Sequence, residues 1–209
     1  MIIERFAVGI YAANCYVIAD ENKKECIVVD PGGSPDKIIG HINKNKLKTV
    51  AIVLTHGHVD HIAEADVLRK KLGAEILIHK NDSKMLEDSK INLSNATLYN
   101  EVNFCADKLI KDKEIIKFGD IEALVIHTPG HTRGGITLKI ENFLFTGDTL
   151  FQDSYGRTDL GGGNLNALHD SIIHKLFKLD GELNVLPGHG GPSSIGYEKQ
   201  YNPMIRVKL

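Results

Sequence analysis

The sequence is poor in cysteine, lacks any long apolar run and carries almost no net charge, and each scarcity closes off a class of protein. Its three cysteines, Cys15, Cys26 and Cys105, are odd in number and lack the close spacing of a metal knuckle or redox pair, which argues against a disulfide framework. Cys15 and Cys26 lie in the apolar runs NCYVI and ECIVVD, so the expectation is reduced thiols packed in a core. No stretch approaches the roughly 18 apolar residues that mark a membrane span. The opening MIIERFAVGIYAANCYVIAD does not order a basic region, an apolar run and a small-residue cleavage site as a secretory signal does. A cytoplasmic protein without membrane contact is therefore expected. A formal charge of −2 and a pI near 6.5 force no basic face, so nucleic acid is not expected as a partner. Ser- or Pro-rich linkers, repeats and low-complexity tracts are missing too, so the 209 residues are read as one domain, 1–209.

What the sequence does hold is an alternation of strand-like and helix-like segments. Ile2 to Val8, Cys15 to Ala19, Cys26 to Val29 and the continuous apolar run Thr49 to Leu54 read as strands. Ser34-Pro35 opens a helix to about Asn45, with Ser34 as N-cap and Pro35 at the first helical position. A helix over Ile62 to Leu72, a strand at Glu75 to His79 and a short helix over Asp82 to Asp88 follow. Residues 89–113 are polar and weakly periodic, and are expected to form a long surface excursion that shapes a substrate rim. Strands return at Ile121 to Ile126, Ile136 to Ile140, Phe143 to Phe145 and Asn184 to Leu186, with a helix from about Leu165 to Leu179.

The chemical signal is Thr55-His56-Gly57-His58-Val59-Asp60-His61, an H-x-H-x-D-H cluster where a buried strand gives way to a helix. Four ligand-type side chains lie within six positions, and imidazole and carboxylate donors suit zinc, iron or manganese. Three other apolar runs end alike, at Thr128-Pro129-Gly130-His131, Phe145-Thr146-Gly147-Asp148 and Leu186-Pro187-Gly188-His189. Brought to one edge of a sandwich, these loops supply seven ligands, enough for two metals with positions left open for water and hence for catalysis.

His56, His58, Asp60, His61, His131, Asp148 and His189, with the phrases VVDPGG, HTPGHT, FTGDTLF, GRTD and LPGHG, resemble the metallo-β-lactamase superfamily, and within it the short, single-domain glyoxalase II-like hydrolases. The resemblance covers nearly the whole chain. It implies an α/β fold, the αβ/βα four-layer sandwich of two mixed β-sheets flanked by helices. It implies two divalent metal ions, Zn2+ before Fe or Mn. His56, His58 and His131 would hold the first, Asp60, His61 and His189 the second, and Asp148 would bridge both. Asp60 and Asp148 are the implied catalytic carboxylates, with Asp60 steering the nucleophile or passing its proton on. The implied reaction is hydrolysis of a small-molecule thioester or ester by a metal-bridging hydroxide, because shared cations lower the pKa of water toward about 7. Only 20 residues follow His189, so the helical domain with which glyoxalase II grips glutathione is not expected.

The runner-up is a persulfide dioxygenase of the same fold, which shares the Gly156-Arg157-Thr158-Asp159 phrase and holds one iron, here through His56, His131 and Asp148. A carboxylate at Asp148, where the common zinc β-lactamases place a cysteine, argues against β-lactam cleavage. Asp30, Thr55, Thr149 and Asp159 are candidates to hydrogen-bond the ligands from behind. His41, His79, His127, His169 and His174 fall outside the ligand pattern, while Arg133 and Tyr155 flank the ligand loops.

Overall fold

A computed structural model describes residues 1–208. Two six-stranded sheets dominate it. The first runs in the order β1 (Ile2–Val8), β2 (Ala13–Ala19), β3 (Glu25–Val29), β4 (Lys48–Leu54), β5 (Glu75–His79), β6 (Lys108–Ile110), antiparallel through β3 and parallel from there on. The second takes β7 (Ile115–Phe118), β8 (Ile121–His127), β9 (Ile136–Ile140), β10 (Phe143–Gly147), β13 (Asn184–Pro187) and β14 (Ser193–Ser194), with only β10 and β13 parallel. A hairpin of β11 (Leu150–Phe151) and β12 (Ser154–Tyr155) stands apart.

Strand periodicity explains the layering. In β2, Cys15, Val17 and Ala19 face one way and Tyr16 and Ile18 the other, and every residue of the strand is buried, so both faces must be covered. Tyr16, Ile18, Val53 and Leu77 meet Phe118, Val125, Leu138 and Phe145 between the sheets. The outer face of the first sheet packs on α1 (Pro35–Lys44), α2 (Val59–Ile62) and α3 (Ala65–Leu72) through Ile38, Ile42, Ile62 and Leu68. Leu144 and Val185 of the second sheet pack on α4 (Leu165–His169), its continuation, and α5 (Ile195–Tyr201) through Leu168, Ile172 and Ile195. Helices, sheet, sheet, helices is the expected four-layer order. Cys15 and Cys26 are buried free thiols, as expected, and Cys105 is exposed. No helix among the described residues is long and apolar enough to cross a membrane.

Several segments depart from their sequence pattern for visible reasons. The helix expected over Ile62 to Leu72 is interrupted between α2 and α3, because the Glu64 N–H donates to Pro31 O (2.9 Å). Ser34 sits before α1 in a left-handed conformation and its side chain makes no capping bond. Asp82 to Asp88 yields only a 3₁₀ turn, Ser83–Met85. The helix from Leu165 is capped by Asn164, passes through a π stretch, Asp170–Lys175, and closes in a 3₁₀ turn, Leu176–Lys178. Residues 89–113 are more than a surface excursion: Asn92, Ser94, Val102 and Phe104 are buried, and β6 completes the first sheet. Asn92 organises this segment, its Nδ2 donating to Met85 O (2.8 Å) and Val102 O (3.0 Å) while its Oδ1 accepts from Ser94 N (2.9 Å).

Candidate metal centre

Every ligand-bearing loop leaves the C-terminal end of a strand. His56 to His61 follow β4, His131 follows β8, Asp148 follows β10 and His189 follows β13. Backbone hydrogen bonds clamp the two sheets along this edge, Ile136 N to Thr55 O (2.9 Å) and Asn14 N to Gly188 O (2.7 Å), while Gly188 N to Gly147 O (2.8 Å) joins two ligand loops of the second sheet. Close approach demands glycine at two of the turns. Gly147 has φ +48°, and a Cβ on Gly188 would fall inside the Asp148 carboxylate.

The seven side chains expected from sequence come together here. Potential ligand atoms of His56, His58 and His131 lie within 4.8 Å of one another, as do those of Asp60, His61 and His189. His58 Nδ1 is 2.9 Å from His131 Nε2, and His61 Nε2 is 3.2 Å from His189 Nε2. Two nitrogens each about 2.0–2.1 Å from a shared zinc lie about 2.9–3.4 Å apart at angles from 90° to tetrahedral, so these spacings fit. Asp148 joins the triads: Oδ1 is 3.4 Å from His61 Nε2, and Oδ2 is 3.6 Å from His131 Nε2 and 3.7 Å from His189 Nε2.

Hydrogen bonds from behind assign the ring tautomers. His131 Nδ1 donates to Arg157 O (2.8 Å), which turns its Nε2 lone pair toward His58. Thr55 Oγ1 donates to Asp30 Oδ2 (2.6 Å) and accepts from His56 Nδ1 (3.1 Å), leaving His56 Nε2 to face the centre. Facing the centre, His56 Nε2 and Asp148 Oδ1 are buried with no partner among the described residues, as is His58 Nε2, the nitrogen of that ring that does not face His131. Orphaned polar atoms of this kind are costly unless something binds them, and imidazole and carboxylate donors fit a divalent ion.

The electrostatics of the two triads differ. Burial and then its histidine neighbours push His56 well below the ordinary imidazole value, and burial and then His131 take His58 down to about 3. His61 goes the other way, to about 10: burial opposes its charge, but Asp148, Asp60 and the Asp30 hydrogen bond outweigh it. For Asp60, burial favours the neutral acid, yet His61 and the His189 hydrogen bond win and hold it ionised, well below the usual carboxylate range.

Asp30 and Thr55 take the supporting positions expected of them. The buried Asp30 accepts at Oδ1 from Thr55 N (2.7 Å) and faces His61 Nδ1 with Oδ2 (3.0 Å). Thr149 and Asp159 do not: Thr149 Oγ1 bonds Thr128 (3.1 Å), and Asp159 is gripped by both Arg157 Nε and Nη2 (2.7 Å each). Arg133 lines a separate cleft with His127 and Asn164, and Tyr155 packs against the core under α4. Over the candidate centre opens a cleft of about 410 Å³, walled by Tyr11, Val59, Leu93, Thr97, Arg157 and Leu160 among others. Leu93 and Thr97, from residues 89–113, form part of this wall. Tyr11 and Leu160 carry no motif and could not be singled out from sequence.

Over residues 8–189 the chain matches the family described as "Metallo-beta-lactamase superfamily". Among curated proteins it is 38% identical to an uncharacterized protein of Mycobacterium tuberculosis, covering 98% of both chains. It is 36% identical to the probable metallo-hydrolase YqgX of Bacillus subtilis, over 96% of both. It is 34% identical to hydroxyacylglutathione hydrolase GloC of Haemophilus influenzae, over the full length of each. Similar solved structures include "BLEG-1 B3 metallo-beta-lactamase" (33% identity, TM-score 0.93, 99% of this chain and 100% of that one). Another is "TTHA1623 in a di-iron-bound form" (28%, TM-score 0.86, 96% and 98%). A third is ETHE1 from Myxococcus xanthus (28%, TM-score 0.83, 97% and 84%).

Proposed function

The chain belongs to the metallo-beta-lactamase superfamily, and from that premise we propose that it is a dinuclear metal-dependent hydrolase of thioesters built from a single domain. The observation that carries the reading is the pairing of two complete ligand triads across one carboxylate, Asp148. His56, His58 and His131 would hold one ion, Asp60, His61 and His189 the other. When bound, divalent cations supply a lowered pKa for water held between them and polarise a carbonyl oxygen. The chain's own groups do the rest. Asp148 holds the two triads at a fixed separation. Asp60, kept ionised beside His61 and His189, is a poor proton acceptor, so it orients the attacking water rather than shuttling its proton. Val59, Leu93 and Leu160 present apolar wall to the substrate and thin the water around it.

A thioester is favoured because a thiolate departs without strong acid help, and the cleft offers no dedicated acid. Its lining cation, Arg157, is already held by Asp159, which weakens any grip on a carrier's carboxylates. Thioesters are therefore expected to exceed matched amides and β-lactams in kcat/KM by about 100-fold or more, and a glutathione carrier to gain little over a small neutral thiol. The similarity to a structure named as a B3 metallo-beta-lactamase makes β-lactams the decisive comparison. Faster β-lactam than thioester turnover would overturn the substrate reading, and a glutathione preference of about 1000-fold, near 4 kcal/mol, would reveal a carrier site elsewhere in the cleft.

The one-iron dioxygenase alternative leaves the Asp60, His61 and His189 triad without a task. Elemental analysis of protein reconstituted with zinc, iron or manganese is expected to give close to two ions per chain. A ceiling of one ion, with oxygen uptake on a persulfide, would decide for the alternative.

A further inference from the structure

Asp82 is buried, at 1% exposure, in the turn after β5, and no part of the reading above uses it. Its carboxylate accepts from Thr132 Oγ1 (2.6 Å) and from Gly134 N (2.6 Å), and the turn it opens sets Met85 against Gly57, where an added Cβ would meet Met85 Cβ at 2.5 Å. Gly57 separates His56 from His58, and Thr132 follows His131. The turn thus ties the two loops that carry the first triad, Asp82 bonded to one and Met85 packed on the other, and it does so across the sheets, since β5 belongs to one and β8 to the other. No lysine, arginine or histidine pairs with Asp82 among the described residues. An uncompensated buried carboxylate is costly, and one of its two donors is a backbone amide that cannot rotate to suit another partner. The second triad has its own buried carboxylate, Asp30, bonded to His61.

We propose that Asp82 is a positioning residue dedicated to the first metal site: it fixes the spacing between the His56–His58 loop and the His131 loop and leaves the second site untouched. This rests on the two-site reading above. Asp82→Asn keeps the size of the side chain but replaces one acceptor oxygen by an amide donor facing donors already there. Partners behind metal ligands commonly contribute a factor of about 10–100 in affinity, and here that factor should fall on one ion alone.

The test uses full-length protein in two single-site backgrounds: His189→Ala, which keeps the first triad whole, and His131→Ala, which keeps the second. Zinc affinity is measured by chelator competition, with circular dichroism as the check on folding. Asp82→Asn is expected to weaken zinc about 10–100-fold in the His189→Ala background and less than about 3-fold in the other. The milder Thr132→Val, which removes one of the two donors, should shift the same background in the same direction by less. Equal losses in both backgrounds, or none in either, would overturn the assignment and leave Asp82 a general structural residue. If the single-site variants do not each retain one ion, the two-site reading itself falls, and the assignment falls with it.

Discussion

Asp148→Ala is expected to lower thioester kcat/KM by about 10⁴-fold or more and to deplete both metal ions rather than one. The reason is where its oxygens lie. Oδ1 faces His61, Oδ2 faces His131 and His189, and Oδ1 is buried with no other partner, so the carboxylate answers to both triads at once. Removing it would leave two nearby cations without shared negative charge and open a void next to Gly188, whose missing side chain made room for it. A loss of 10⁴ corresponds to about 5.5 kcal/mol of transition-state stabilisation. Asp148→Asn, which keeps the shape but not the charge, should fail nearly as badly. A variant with intact metal content and kcat but a raised KM would show that Asp148 merely contacts substrate.

Uptake of the two ions is expected to differ in its dependence on pH. In the metal-free chain His61 titrates near 10, so at neutral pH the second ion must displace a proton from it, whereas His56 and His58 are already neutral. Affinity for the second ion should rise about tenfold per pH unit up to roughly pH 10, or about 100-fold between pH 6 and pH 8, while His56 and His58 add no such slope to the first. Calorimetry in buffers of different ionisation enthalpy reads this directly, as close to one proton released for the second ion. Proton release shared evenly between the ions would contradict it. The metal-free fold should show the same group in its stability. A histidine raised from 6.5 to about 10 stabilises fully below its unfolded value, and that contribution fades as pH rises through about 10.

The ligand set was legible in the sequence because each member sits where an apolar run stops at a glycine or a histidine cluster, and strand ends project side chains predictably. His56, Asp148 and His189 come from three strands, yet each is marked locally. The layered fold was legible from resemblance, while the fully buried β2 confirms that its strands need two covered faces. What stayed hidden depends on partners distant in sequence. Nothing local in Asp82 announces Thr132, 50 residues on, and Tyr11 looks like any exposed turn residue until Tyr99 comes beside it, the ring centroids 5.8 Å apart and Tyr99 Oη accepting from Ile10 N (2.9 Å). The break between α2 and α3 likewise comes from Pro31, a contact that helical periodicity cannot register.

Val59 and Arg157 apart, the cleft wall and the metal ligands reside on different stretches of chain. Tyr11 belongs to the first hairpin, Leu93 and Thr97 to the long segment after β5, and Leu160 to the loop before α4, whereas the candidate ligands follow the ends of β4, β8, β10 and β13. Recognition can therefore drift while the hydrolytic machinery stays fixed, because replacing a wall residue disturbs no bond that orients a histidine. On this view a lineage acquires a new substrate by rewriting three loops. Proteins similar to this chain can then bear names as different as B3 metallo-beta-lactamase and hydroxyacylglutathione hydrolase.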